Sequence, residues 1–102
     1  MRYPALPKKV SAPGGPVFVR LVTREKADDG AAAWGTYDTE HRVIRIERGL
    51  KPAMKWRIFW HEYTHVCLDD SGVDEVLTKE GTEAVCQAIR TGLMALGAFP
   101  PR

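Results

Sequence analysis

His61-Glu62-Tyr63-Thr64-His65 constrains this chain more than any other stretch. An H-E-x-x-H spacing carries chemistry only on a helix, where residues four apart share one face at about 5–6 Å between Cβ atoms. Two imidazoles placed that way can converge on one ion. Zinc fits, with Zn–N bonds of about 2.0–2.1 Å and three protein ligands plus water in catalytic sites. Glu62, next to the first ligand, then stands within reach of a zinc-activated water as general base. Trp60, Tyr63, Thr64 and Val66 around the motif are uncharged, as a helix buried beside a metal requires and a solvated helix does not. The plainer alternative is a pair of core histidines with an exposed glutamate between them, and it leaves the spacing to chance.

The helix that the motif demands is expected over residues 52–68. Pro52 suits a first helical turn, and Asp69-Asp70-Ser71-Gly72 ends the run. Met54, Ile58, His61, His65 and Leu68 fall on one stripe, of which Met54 and Ile58 read as ordinary core. Polar imidazoles at two positions of such a stripe cost free energy unless they are bonded or liganded. A second helix is expected over 78–96.

Upstream, residues 17–23 are rich in β-branched types and read as a strand, closed by the charged, turn-prone run 24–30. Residues 34–37 and 42–48 flank Asp38-Thr39-Glu40-His41, a linker of hairpin length. In the second arm Ile44 and Ile46 alternate with Arg45 and Glu47, the period of a strand with one buried face. The expected fold class is therefore α+β: a small antiparallel or mixed β-sheet with a hairpin, followed by the H-E-x-x-H helix and a second helix. Pro4, Pro7, Pro13 and Pro16 with Gly14-Gly15 disfavour regular structure in residues 1–16, which read as an extended arm. Residues 17–97 then form the domain and 98–102 a short tail.

A length of 102 residues allows one domain with a thin core. A net charge of +2 is too small, and the Lys and Arg too scattered, to argue for nucleic acid. Arg42, Arg45 and Arg48 are the densest basic set, interrupted by Glu40 and Glu47, and read as a solvated strand and turn. No apolar run approaches a membrane span, and the start lacks the apolar stretch of a signal peptide. No nucleic acid, no membrane and a cytoplasmic location are the expectations. Cys67 and Cys86 could form one disulfide, but both sit in apolar-periodic helical segments where free cysteine behaves as a small core residue.

A catalytic zinc needs a third protein ligand, and no histidine follows His65. The metzincin extension would need glycine and histidine where Leu68 and Ser71 stand. His41, in the hairpin turn, is one candidate. Carboxylates of the second helix are better placed, since Glu80, Glu83, Gln87 and Arg90 form a polar stripe along it. Glu83 lies a turn deeper than Glu80, where an antiparallel helix hairpin sets it opposite the motif; Glu83 is the first choice and Glu80 the reserve.

A strand, a hairpin, a helix bearing His61-Glu62-Tyr63-Thr64-His65 and a second helix bearing a glutamate resemble the gluzincin metallopeptidases. In particular, the chain resembles the minimal, single-domain minigluzincins and related phage-type zincin-like proteins, over about residues 17–97. The resemblance implies zinc held by His61, His65 and Glu83, with Glu62 as the base that hydrolyses peptide bonds in peptide or protein substrates. Thr82 and Gln87 replace the asparagine and aspartate that flank the ligand glutamate in larger gluzincins. A second oxyanion donor is usual, and Tyr37, His41, Tyr63 and Arg90 are candidates. A non-catalytic zinc protein, and a latent peptidase whose termini block the cleft, are the alternatives. Oligomeric state stays open.

Overall fold

Side-chain alternation builds the sheet. In β2 (Val17–Val22) it turns Val17 and Val19 inward, and in β4 (Val43–Glu47) it does the same for Ile44 and Ile46. The computed structural model describes residues 3–23 and 34–100, so the turn expected over 24–30 and the end of the tail lie outside the described residues. β1 (Lys9–Val10) and β3 (Gly35–Asp38) complete a four-stranded mixed sheet of order β1-β2-β4-β3. β2 and β4 are parallel, in register from Phe18 opposite Val43 to Val22 opposite Glu47. β3 and β4 form the expected antiparallel hairpin. α1 (Pro52–Asp70) and α2 (Lys79–Leu96) follow, joined through a short 3-10 turn at Val73–Val76. The architecture is α+β. Among the described residues no helix is long and apolar enough to cross a membrane.

α1 lies on the sheet through Trp56, Phe59, Trp60 and Val66, all buried together with Val10, Val17, Val19, Ile44 and Ile46. Buried indole N–H groups need acceptors, and here the chain ends supply them. Trp56 Nε1 donates to the Pro4 carbonyl at 2.7 Å and Trp60 Nε1 to that of Ala98 at 3.2 Å, while Tyr63 Oη donates to Ser11 O at 2.7 Å. The T-shaped contact of Phe99 with Trp56, at 4.7 Å between ring centroids, seals the cluster. The arm is thus more than a lead-in: it contributes β1 and buried Val10, and Tyr3 and Leu6 also pack on the core. The tail reaches α1 because Gly97, at φ 66°, closes α2 in a Schellman motif, with Gly97 N bonded to Met94 O and Ala98 N to Leu93 O.

Asp70 departs from its reading as a helix terminator that serves solubility. Its carboxylate takes both Arg42 Nη1 (2.7 Å) and Arg42 Nη2 (2.9 Å) and the Gly14 N–H (2.8 Å). Arg42 also donates to the carbonyls of Pro16 and Gly15. Four side-chain bonds hold Arg42 in the left-handed region, at φ 54°, where glycine is the usual occupant. The rest of the basic set is tied down as well, with Arg45 pairing Asp38 and Arg48 bonding Leu21 O. The Asp70 side chain is only 5% exposed and that of Arg42 26%, so removing one partner strands the other. Asp70→Ala is expected to cost about 3 kcal/mol of unfolding free energy.

The hydrogen bonds from Arg42, and more weakly the Gly14 N–H, hold the Asp70 carboxyl below the ordinary carboxylate range. A depressed folded-state value contributes stability that is present above the unfolded pKa, near 4, and lost as pH falls through the folded one. Urea midpoints followed from pH 6 to pH 2 should therefore fall less steeply in Asp70→Ala than in the wild type. Equal slopes would remove Asp70 from the acid response.

Candidate metal centre

Helical geometry separates the two jobs of α1. At 100° per residue, Trp56, Trp60 and Tyr63 point to one side, and His61 and His65 point nearly opposite. The imidazoles stand at 5.0 Å between centroids, their side chains 20% and 25% exposed. α2 runs back along α1 and presents Glu83 between them. Its Oε2 lies 3.2 Å from His61 Nε2 and its Oε1 2.8 Å from His65 Nε2. One donor atom from each of the three residues falls within 4.8 Å of the others. A tetrahedral zinc with bonds of about 2.0–2.1 Å separates its ligand atoms by about 3.4 Å, so small side-chain shifts would let all three share one ion. The donor set of two nitrogens and one carboxylate oxygen suits a divalent metal of the zinc type.

Burial pushes the His61 pKa down, against the opposing pull of Glu83, with His65 and Arg90 adding to the depression. A neutral imidazole is the form that ligates. Glu62 points between the histidine face and the core. It is 9% exposed, and its Oε2 is buried with no hydrogen-bond partner. Burial first, and the charge of Glu83 second, push its carboxyl up to about 7. An unpartnered buried carboxyl is costly for a fold, and a value near neutrality is what a general base needs. Cys86 sits fully buried nearby. Its thiol is pushed up to about 11 by burial, with the charges of Glu83 and Glu62 adding to it, so it stays protonated. Both cysteines are free.

These residues line a cleft of about 450 Å³. Trp34 and Gly35 form its wall at the sheet edge, Met54, Arg57 and Ile58 its floor along α1, and Arg90 closes it from α2. The wall comes close because residue 35 is glycine, where a Cβ would collide with Ile58 Cγ2. Half-buried Ile58 packs on the core as its reading expects and also lines the cleft, whereas Met54, read as core, is 43% exposed at the cleft.

Of the candidate third ligands, Glu83 joins the histidines. Glu80 is exposed and outside the cluster. His41 pairs with Asp38 in the hairpin turn, its Nδ1 2.8 Å from Asp38 Oδ2, and is also outside it. Of the four oxyanion candidates, only Arg90 lines the cleft; Tyr63 is on the far side of α1, bonded to Ser11. Trp34, Gly35 and Arg57 carried no role in the sequence reading. Arg57, one turn before His61, could have been found by the same four-residue spacing that found His65. Trp34 and Gly35 could not, because their place depends on strand order. No protein-family model, no curated protein and no solved structure matches this chain.

Proposed function

We propose that this protein is a zinc-dependent metallopeptidase of the minimal gluzincin kind, with His61, His65 and Glu83 as zinc ligands and Glu62 as general base. The observation that carries the reading is the convergence of three donor groups beside a buried carboxyl that no protein group satisfies. When bound, zinc supplies Lewis-acid polarisation and a nucleophile at neutral pH. Glu62 takes the proton of the attacking water and passes it to the leaving amine, a task for which a carboxyl near 7 is suited. Depressed basicity keeps His61 in its ligating form.

β3 is an edge strand of the sheet and meets the cleft at Gly35. An extended peptide can add to that edge through backbone hydrogen bonds, which position a carbonyl at the metal without reading side chains. Arm and tail pack on the aromatic side of α1, and none of their described residues lines the cleft, which favours an open site over a latent one. A purely structural metal has no use for Glu62 in its unpaired state. Two free thiols fit a reducing, cytoplasmic setting.

Metal analysis tests the ligand set. Protein loaded with zinc and desalted is expected to hold one zinc per chain. Glu83→Ala should lose it, and Glu80→Ala should keep it. Loss from Glu80→Ala with retention in Glu83→Ala would overturn the assignment, and no zinc in the wild type would overturn the reading.

A further inference from the structure

The cleft contains two guanidinium groups whose charge nothing within the described residues answers. Arg90 is half-buried and Arg57 exposed. Neither forms an ion pair among the described residues, although Arg42 and Arg45 both do. Arg90 Nε is moreover buried with no hydrogen-bond partner. A buried N–H without an acceptor costs free energy, and this one belongs to a side chain that lines the candidate metal centre's cleft.

Position along α2 decides what Arg90 can reach. It lies seven residues after Glu83, about 10 Å further along the helix axis, and helical side chains lean toward the N-terminus, which carries the guanidinium back in the direction of Glu83. It stops short of an ion pair with Glu83, yet it lines the same cleft as His61 and His65. The group therefore lines the cleft beyond bonding reach of Glu83, on the C-terminal side of it along α2. A cation set along the cleft from the ligands is placed for a group next to the carbonyl under attack rather than for that carbonyl's own oxygen. Arg57, on the turn of α1 before His61, brings a second positive charge to the same end of the cleft.

We propose that Arg90, with Arg57 at the cleft mouth, binds a carboxylate of the substrate next to the bond that is cut. This rests on the peptidase reading and gives it a substrate class: peptides with a free C-terminal carboxylate, or with an acidic side chain, just beyond the scissile bond. Guanidinium forks match carboxylates through paired, charge-assisted hydrogen bonds, which a lysine reproduces only in part.

The test is binding by calorimetry to zinc-loaded Glu62→Gln protein, which hydrolysis does not confuse. The probes are acetyl-Ala-Ala-Ala with a free carboxylate, its C-terminal amide, and the amide of acetyl-Ala-Ala-Glu. A carboxylate probe should bind about tenfold or more tighter than the neutral amide. The first probe winning alone assigns the site to chain ends, and the third winning alone assigns it to acidic side chains. Adding Arg90→Gln should abolish the preference with zinc content unchanged, Arg90→Lys should keep part of it, and Arg57→Gln should weaken it. Equal binding of acid and amide, or a preference that survives Arg90→Gln, overturns the inference. On cleaved peptides Arg90→Gln should raise KM and spare kcat; a fall in kcat alone would make Arg90 an oxyanion donor and also overturn it. A wild type that holds no zinc but still prefers the carboxylate would separate the two readings, sinking the peptidase and leaving the anion site.

Discussion

Glu62→Gln is expected to keep one zinc per chain and a native melting curve while peptide turnover falls by at least about 10²-fold. Glutamine fills the same volume, so the packing around a residue that is 9% exposed is preserved. What it lacks is a group that can take a proton. The wild-type carboxyl, lifted to about 7 by burial, is close to isoenergetic between its two forms at neutral pH, which suits a group that must accept a proton and then give it up. The neutral amide also avoids the cost of burying a charge, so the variant should melt no lower than the wild type. Three measurements on one preparation are enough: metal content, thermal melt and cleavage of a peptide library. Undiminished turnover would remove Glu62 from the mechanism, and lost zinc would recast it as a ligand support.

Metal removal is expected to lower the melting temperature by more than about 10 °C, with zinc restoring it. Binding to the folded state alone contributes RT ln(1 + [L]/Kd), about 4 kcal/mol when free zinc exceeds Kd a thousandfold. Domains of this size are stable by about 5–15 kcal/mol in total, and 1 kcal/mol moves such a midpoint by about 4–8 °C. The fold adds a reason for the loss to be local. Cys86 is the one fully buried residue of α2 among the described residues, and Ile89 and Leu96 point outward, 46% and 81% exposed. α2 thus packs on the core mainly through Cys86 and the partly buried Leu93 and Met94, and Glu83 adds a polar link to His61 and His65 that a shared ion would strengthen. Hydrogen exchange after chelation should quicken in α2 before it quickens in α1. An unchanged melting curve after verified zinc removal would leave the metal no part in holding the helices.

Elements whose signal is local were legible in the sequence. β2, the hairpin and both helices follow from residue periodicity and from Pro52, Thr78 and Gly97 at their boundaries. The pair His61 and His65 is a relation within one helix turn, and Glu83 followed from the lack of any later histidine. What escaped depends on distant partners. The parallel pairing of β2 with β4 leaves no trace in either strand's alternation. β1 is two residues long amid prolines and is a strand only because Phe18 and Val17 lie opposite. Asp70 looks like any acidic residue at a helix end until Arg42, twenty-eight residues earlier, is folded back onto it. Trp60 and Tyr63 read only as uncharged flanks of a helix buried beside a metal, since nothing local says that the N–H and O–H groups of α1's aromatics meet Pro4, Ser11 and Ala98.

Those same long-range bonds set an order of events during synthesis. The Pro4 carbonyl cannot meet Trp56 until 52 further residues exist, nor can the Gly14 amide meet Asp70 until 56 do. Apart from the local β1–β2 pairing, the arm therefore lacks its partners until α1 has been made, while the β3–β4 hairpin and the first turns of α1 can already form from neighbours. Closing so long a loop costs entropy that only the finished α1 offsets. The arm, made before α1, is then among the last segments to settle, and until it does Val10, Val17 and the indoles of α1 stay open to solvent and to other chains.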